Sequence, residues 1–290
     1  MRRYKTYKLI AFFIVITNIL HSQTSIAEEF SFVRYLLSNN LLEDANYVLK
    51  KCKTTYPEIS STTVDSIDFI IASNYHKSKK FDSCIVYLKN ISSPSLKTKS
   101  ALLLSYSYLF TGKRMLGDSI VHSIKVDTTD DMNHFINYQK AASALLNRNW
   151  RSFDSISSRF GEKDYRLAKE EKDILMYYVD LKKIKRKSPF VAGLLSAVIP
   201  GSGKMYAGYS GKALSSFMPN LIFATATAES IYRDGLNTPQ TYIFGSLFTT
   251  FYLGSIVGSA YSVKLKRADK YKEIDNEILF DIYNSYNRYK

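Results

Sequence analysis

The stretch that decides the fold runs from residue 188 to residue 263 and reads SPFVAGLLSAVIPGSGKMYAGYSGKALSSFMPNLIFATATAESIYRDGLNTPQTYIFGSLFTTFYLGSIVGSAYSV. It contains two long apolar segments, residues 212–231 and 240–263, joined by a short polar loop. Twenty residues of α-helix extend about 30 Å, which matches the hydrocarbon core of a bilayer. The sequence therefore predicts a membrane domain with two transmembrane helices in an antiparallel hairpin.

A shorter apolar segment, residues 189–199, precedes this hairpin. It is too short to span a bilayer alone, so we expect a re-entrant or interfacial helix. A proline ends this segment, and glycines then allow the backbone to turn tightly at the membrane surface. A tyrosine in the turn is typical of a membrane interface. The residues predicted to form this structural turn are Pro200, Gly201, Gly203, Tyr206 and Gly208.

Small residues recur at every fourth position on both long segments. Ala224 and Ala228 belong to the first, and Gly254 and Gly258 to the second. This spacing lets two helix backbones approach closely in lipid, and it predicts helix packing at these four positions. Asn220 is the strongly polar side chain deep in the first segment, and we favour an interhelical hydrogen bond over a functional site for it.

The N-terminal residues have the layout of a secretory signal peptide. A basic start leads into an apolar run at residues 9–20, and the small residues Ser25 and Ala27 suit cleavage by a signal peptidase. We expect residues 1–27 to be removed on export, with an uncleaved N-terminal anchor as the alternative. The basic flanks at 182–187 and 264–267 would both favour the cytoplasm, so the side of the C-terminal tail stays open.

The chain is strongly basic, with a formal net charge of +14. Its lysines are spread along the sequence and cluster at the edges of the apolar segments, which suits contacts with anionic lipid. We therefore expect membrane lipid as a partner and no nucleic acid.

Residues 28–187 have few glycines and prolines, which favours helices over strands. Apolar residues recur at helical spacing, and the helices come in pairs. A short polar or basic turn precedes the second helix of each pair, at residues 39–40, 79–80, 112–114 and 147–149. Aligning the second helices on Ala45, Cys84, Ser119 and Phe153 gives spacings of 39, 35 and 34 residues. This pattern resembles a degenerate tetratricopeptide-type helical-repeat array, with an irregular helical bundle as the alternative. We expect a last helix, from residue 164 to about 184, to cap the array.

Motifs that would carry chemistry fail on spacing. Residues 201–204 lack the upstream glycine and the following Ser or Thr of a phosphate loop. Gly117-Asp118-Ser119 and the Asp131–His134 block resemble two signatures of a serine-esterase family but lie too close together. The histidines show no metal-ligand spacing. Cys52 and Cys84 are interpreted as buried thiols, with a disulfide as the alternative. We therefore predict no catalytic residue, no cofactor and no metal.

The segment from residue 187 to residue 208 resembles a bacterial membrane domain of unknown function that carries a Pro-Gly-x-Gly-Gln-x-Tyr-x-Gly turn. Broader two-transmembrane-helix families have a similar turn. Lys204 stands where that family usually has Gln, so the resemblance implies that Lys204→Gln is tolerated. The resemblance implies a bacterial membrane location and no established chemistry.

Together these features predict an all-α chain in four parts: a signal peptide at 1–27, a helical-repeat domain at 28–187, a membrane domain at 188–263 and a basic amphipathic tail at 264–290. The expected function is that of a non-enzymatic scaffold in the bacterial inner membrane, whose exported repeats bind a partner protein or peptide on the periplasmic side. The alternative is that the membrane domain itself acts in membrane-protein or lipid assembly, or in small-solute passage, with the repeats recruiting a partner.

Overall fold

The computed structural model describes residues 26–125, 132–161 and 164–289. These residues form helices and no strand, so the prediction of an all-α fold is confirmed. The chain divides into two compact units, Met1–Ser158 and Arg159–Lys290, which we describe separately. The predicted signal peptide lies outside the described residues except for its last two positions, and its cleavage stays a prediction.

Unit 1 is built from helices that pack in chain order, each against the next. They are α1 (Ile26–Ser38), α2 (Leu42–Thr55), α3 (Ser61–Lys77), α4 (Phe81–Leu88), α5 (Pro94–Phe110), α6 (Arg114–Ser123), α7 (Asn133–Leu146) and α8 (Trp150–Ser157). Contacts also join α3 to α5 and α5 to α7. Each helix therefore buries its apolar face against helices close to it in sequence.

The same turn closes four successive helix pairs. In each turn one residue adopts a left-handed conformation, with φ between 57° and 80°, and the next N–H donates to the carbonyl oxygen five residues earlier. These bonds, at 2.8–2.9 Å, satisfy carbonyl groups that the helix end leaves open, as in a Schellman motif. The left-handed residues are Asn40, Lys79, Gly112 and Arg148.

The turns correct the alignment expected from sequence. Ala45, Cys84 and Phe153 each lie five residues after a left-handed residue and are fully buried. The residue at that place in the third pair is Gly117, whereas Ser119 is exposed. A Cβ on Gly117 would lie 2.8 Å from the carbonyl oxygen of Ser105, so α5 and α6 touch almost backbone to backbone here. The spacings are thus 39, 33 and 36 residues.

Unit 2 is organised around one long helix. Its helices are α9 (Ala168–Lys183), α10 (Pro189–Val198), α11 (Ser202–Ala207), α12 (Ser210–Asp234) and α13 (Pro239–Arg288). All four of the others pack against α13, whose 50 residues extend about 75 Å. Among the described helices, α13 alone is long and apolar enough to cross a membrane. The role of α12 as a second span stays a prediction.

Two predicted boundaries do not coincide with breaks in the structure. The helix expected to cap the repeats is α9, and it belongs to unit 2, where it packs against α13. The predicted tail is the continuation of α13, with no break at residue 264. Both differences follow from an apolar stripe on the tail. Ile278 and Ile282 belong to this stripe and are fully buried. The tail therefore serves as a packing surface for α9.

Candidate functional site

The predicted turn is built on glycine conformations that other residues rarely adopt. Gly201 and Gly208 lie at φ +89° and +95°, before and after the short helix α11. A Cβ on Gly201 would also lie 2.4 Å from the carbonyl oxygen of Ala213, at the start of α12. Both backbone conformation and space therefore require glycine at position 201.

Gly203 brings α10 and α11 into direct backbone contact. A Cβ at this position would lie 1.8 Å from the carbonyl oxygen of Ala192 and 2.8 Å from the hydroxyl of Ser196. Its φ is not in the left-handed region, so the requirement for glycine is purely one of space. The absence of a side chain lets α11 fold back onto α10.

Buried serines satisfy the backbone of the turn. The Gly201 N–H donates to the hydroxyl of Ser255 at 2.9 Å, and the Gly203 N–H donates to the hydroxyl of Ser196 at 3.0 Å. Ser196 in turn donates to Ser259 on α13 at 2.7 Å. Lipid offers no hydrogen-bond partner, so an irregular turn at membrane depth needs such internal partners. These bonds attach the turn to α13.

The helix contacts differ from the predicted small-residue pattern. Gly254 is exposed, and no atom lies within 4 Å of the place where its Cβ would be. Gly258 faces the side chain of Lys204, whose Cε lies 3.6 Å from that place, and not α12. On α12, Ala224 is half-buried and Ala228 is exposed. The buried small residues on α13 are instead its serines, one position further along the helix.

Polar side chains also join α12 to α13. Ser216 donates to Ser255 at 3.1 Å, and Ser230 and Thr241 share a hydrogen bond of 2.7 Å near the connecting loop. Asn220 is buried and donates to the carbonyl oxygen of Phe251 across the helix pair at 3.4 Å. Asn220 thus makes the interhelical hydrogen bond that we favoured for it.

Tyrosines and cations mark the end of the apolar part of unit 2. The Lys187 ammonium group lies 5.1 Å from the ring centre of Tyr206 and donates to the carbonyl oxygen of that residue. The Tyr209 ring has Lys212 at 4.2 Å and Lys266 at 4.8 Å, and its hydroxyl donates to Asp269 at 2.7 Å. Tyr and Lys together are typical of membrane interfaces.

A basic cavity of about 470 Å³ opens at the same place. We call it the basic cavity; it is lined by Lys183, Ile184, Lys185, Lys187, Ala207, Gly208, Val263, Lys266, Arg267 and Lys270. Six of these ten residues are cations. Within the described part of the chain, none of the six has a carboxylate oxygen within 4 Å of its charged nitrogen atoms. The cavity therefore concentrates positive charge that is not held in direct ion pairs.

The neighbouring cavity carries the opposite charge. It measures about 400 Å³, shares Lys183, Ile184 and Lys270 with the basic cavity, and is otherwise lined by Tyr177, Asp180, Glu273, Ile274 and Glu277. Close by, Tyr177 donates to Asp281 at 3.1 Å, which joins α9 to α13. Burial, together with neighbouring carboxylates, raises the pKa of Asp281 to about 6, although the hydrogen bond from Tyr177 acts in the opposite direction.

Unit 1 has a cleft of its own between successive turns. We call it the turn cleft; it measures about 470 Å³ and is lined by Lys79, Lys80, Phe81, Asp82, Ser83, Phe110 and Thr111. The ring centres of Phe81 and Phe110 are 4.2 Å apart. Phe81 is buried whereas Phe110 is 47% exposed, and Lys80 is paired with Glu43 at 2.6 Å. The cleft therefore offers an aromatic surface beside exposed charged side chains, of which Lys79 and Asp82 have no ion pair within the described part of the chain.

The residues considered for catalysis have structural contacts. Asp118 accepts a hydrogen bond from Ser143 at 2.7 Å and lies 3.3 Å from His122, while Asp131 is outside the described residues. In the part of the chain that the structure describes, no three metal-ligating side chains come together. Cys52 and Cys84 are buried free thiols, and burial raises the pKa of Cys84 to about 11.

Comparisons with family models, curated proteins and solved structures give no match to this chain. The resemblance of the turn to a bacterial membrane domain therefore stays a prediction.

The sequence indicates the turn at 200–208, but it does not indicate the basic cavity or the cavity beside it. The basic flanks at 182–187 and 264–267 were visible as separate runs, and only the packing of α9 and α10 on α13 brings them together. The serines of α13 were also missed, because the glycines beside them gave a stronger packing signal.

Proposed function

We propose that this protein is a non-enzymatic membrane-anchored scaffold, in which α13 is held in the bacterial inner membrane and unit 1 binds a partner protein or peptide. Unit 1 acts as a tetratricopeptide-like repeat array on the periplasmic side, after export directed by residues 1–27. The assignment of anchoring and binding to different units is supported by the two compact units of the chain, because each has its own packed core.

The anchoring proposal is supported by the exposure of α13. Only 11% of its apolar 18-residue stretch is buried inside the structure. A helix of this length and composition would leave a large apolar surface in water, whereas lipid covers it at no cost. The internal hydrogen bonding of the turn at 200–208 supports the same proposal, since its N–H groups need no water.

The observation that carries the binding proposal is the turn cleft. Phe110 is half exposed and contacts Phe81, and the exposed Lys79 lines the same cleft. Exposed aromatic residues in a depression are typical anchors of protein interfaces, and cations at the rim favour acidic partners. We therefore propose that the partner inserts an apolar side chain against Phe110 and places acidic residues near Lys79.

The experiment compares partners that co-purify with the full chain from uncharged detergent. Phe110→Ala should lose the partner, because it removes the exposed aromatic surface of the cleft. Phe32→Ala is the matched control, since Phe32 is 49% exposed, close to the 47% of Phe110, and does not line the cleft. An identical set of partners from both variants and the unchanged protein would contradict the proposal.

A further inference from the structure

We propose that the basic cavity binds the phosphate group of an anionic membrane lipid. The inference rests on the proposed function in one respect, since it takes the apolar half of α13 to lie in a membrane. It goes beyond a general attraction to anionic lipid, because it assigns one cavity, one chemical group and a defined set of residues.

The charge of the cavity selects an anion. Its six cations come from three places in the chain: the end of α9, the linker to α10, and one stretch of α13. None of them has a carboxylate partner within 4 Å among the described residues. Positive charges that line one cavity attract an anion, and a bound phosphate offsets their mutual repulsion. Lys and Arg are the side chains that proteins use to bind phosphate.

The position of the cavity selects a lipid. Val263, the last residue of the predicted apolar segment, lines the cavity directly. Lys266 and Arg267 follow it by about 5 and 6 Å along the helix axis, within the roughly 5–8 Å of a headgroup layer, and Lys270 follows at about 10 Å, just beyond that layer. Glu273, in the neighbouring cavity, lies further from the apolar segment. On α13, the cations of the cavity thus begin in the layer where lipid phosphates lie.

The size and floor of the cavity suit a headgroup. A volume of about 470 Å³ is in the range of small-molecule sites, and Ala207, Gly208 and Val263 give it an apolar wall. Gly208 adds no side chain, and the nearest atom to its missing Cβ is the Cε of Lys266 at 3.9 Å. The cavity therefore has room for a phosphate diester beside an apolar surface that a glycerol backbone or upper acyl chain can contact.

The test is a binding titration of the full-length protein in uncharged maltoside detergent, in which microscale thermophoresis measures the bound fraction. The probes are short-chain phosphatidylglycerol, short-chain phosphatidylcholine and inorganic phosphate. We expect phosphatidylglycerol to bind at least tenfold more tightly than either of the others. Inorganic phosphate binding as tightly as the lipid would overturn the assignment to lipid, and so would phosphatidylcholine binding as tightly.

Matched variants locate the site. The first combines Lys185→Gln, Arg267→Gln and Lys270→Gln, all of which line the cavity. We expect its affinity for phosphatidylglycerol to fall about 100-fold. Each removed cation contributes about 1 kcal/mol, which is about fivefold in affinity, and the three effects multiply. The control removes the same charges outside the cavity, at exposed positions close in sequence, through the substitutions Arg186→Gln, Lys264→Gln and Lys272→Gln.

The control variant should keep its affinity for phosphatidylglycerol within a factor of about three. Equal losses in the two variants would overturn the proposal, because binding would then follow net charge and not the cavity. Melting temperatures of both variants in the same detergent show that each is folded. Binding in detergent does not need α13 to span a bilayer. Failure of the lipid site is therefore separate from failure of membrane anchoring, which is measured on intact membranes.

Discussion

Replacing Gly203 by alanine is the sharpest test of the turn. The added Cβ would lie 1.8 Å from the carbonyl oxygen of Ala192, and real Cβ atoms essentially never come within 3.0 Å of such an atom. The two helices must therefore separate by more than about 1 Å, which costs about 1–3 kcal/mol as overpacking. The separation also breaks the hydrogen bond from the Gly203 N–H to Ser196, worth about 1 kcal/mol. We expect a total loss of about 2–4 kcal/mol.

The assay is thermal unfolding of the full-length protein in detergent, read as the fraction that remains monodisperse after heating. A loss of this size should lower the melting temperature by roughly 5–15 °C. Gly211→Ala is the matched control, because Gly211 is in the first turn of α12 and has no atom within 4 Å of its missing Cβ. Its melting temperature should be unchanged or slightly higher. Equal melting temperatures for the two variants would refute the steric argument.

Three further predictions use the same measurement. Gly112→Ala should lower the free energy of unfolding by about 1 kcal/mol, because φ is +80° there. Lys79→Gly should raise it by about 0.5 kcal/mol, because it removes a left-handed lysine. Equal effects of the two substitutions would contradict the turn geometry. Gly258→Leu should destabilise the protein, because the new leucine would collide with the Lys204 side chain. Adding Lys204→Ala in a double variant should restore most of the lost stability, and additive losses would contradict that contact. Burial raises the pKa of Asp281 to about 6, above its value of about 3.9 in the unfolded chain, so its charge destabilises the fold above pH 6 and this effect fades towards pH 4. Asp281→Asn should therefore stabilise the protein at pH 8, by about 1 kcal/mol or less after solvent screening, and much less at pH 4. A gain that does not vary with pH would contradict the titration.

The sequence predicts helix class and turn positions well, because both depend on local chemistry. The polar turn residues expected in unit 1 include the left-handed residues Asn40, Lys79 and Arg148. Proline and glycine indicated the turn at 200–208 in the same way. These signals act over a few neighbouring residues, and a single sequence is enough to read them.

Long-range packing was less predictable. In the third helix pair, the repeat pattern predicts Ser119 at the close contact between the two helices, because a small residue suits that position. The structure has Gly117 at the close contact between α5 and α6. The assignment of α9 to the repeat array overlooked the stripe on α13 that buries Ile278 and Ile282. That stripe is separated from α9 by the whole membrane segment, so no local pattern connects the two.

The basic cavity could not be predicted for the same reason. Its cations are spread over nearly ninety positions of the chain, from Lys183 to Lys270, and read in sequence as two separate flanks. Each flank alone predicts only an edge of a membrane segment. The site exists because α13 runs unbroken past the apolar segment and carries Lys266, Arg267 and Lys270 beneath the linker after α9.

The most direct test of membrane anchoring is alkaline extraction of membranes that contain the full-length protein. Sodium carbonate at high pH releases proteins that are held by charge or by a partner, whereas a helix embedded in the hydrocarbon core stays with the lipid. The exposed apolar stretch of α13 predicts that the protein remains in the membrane pellet after extraction. Recovery of the intact protein in the supernatant would contradict the account, because α13 would then have to be covered by protein and not by lipid.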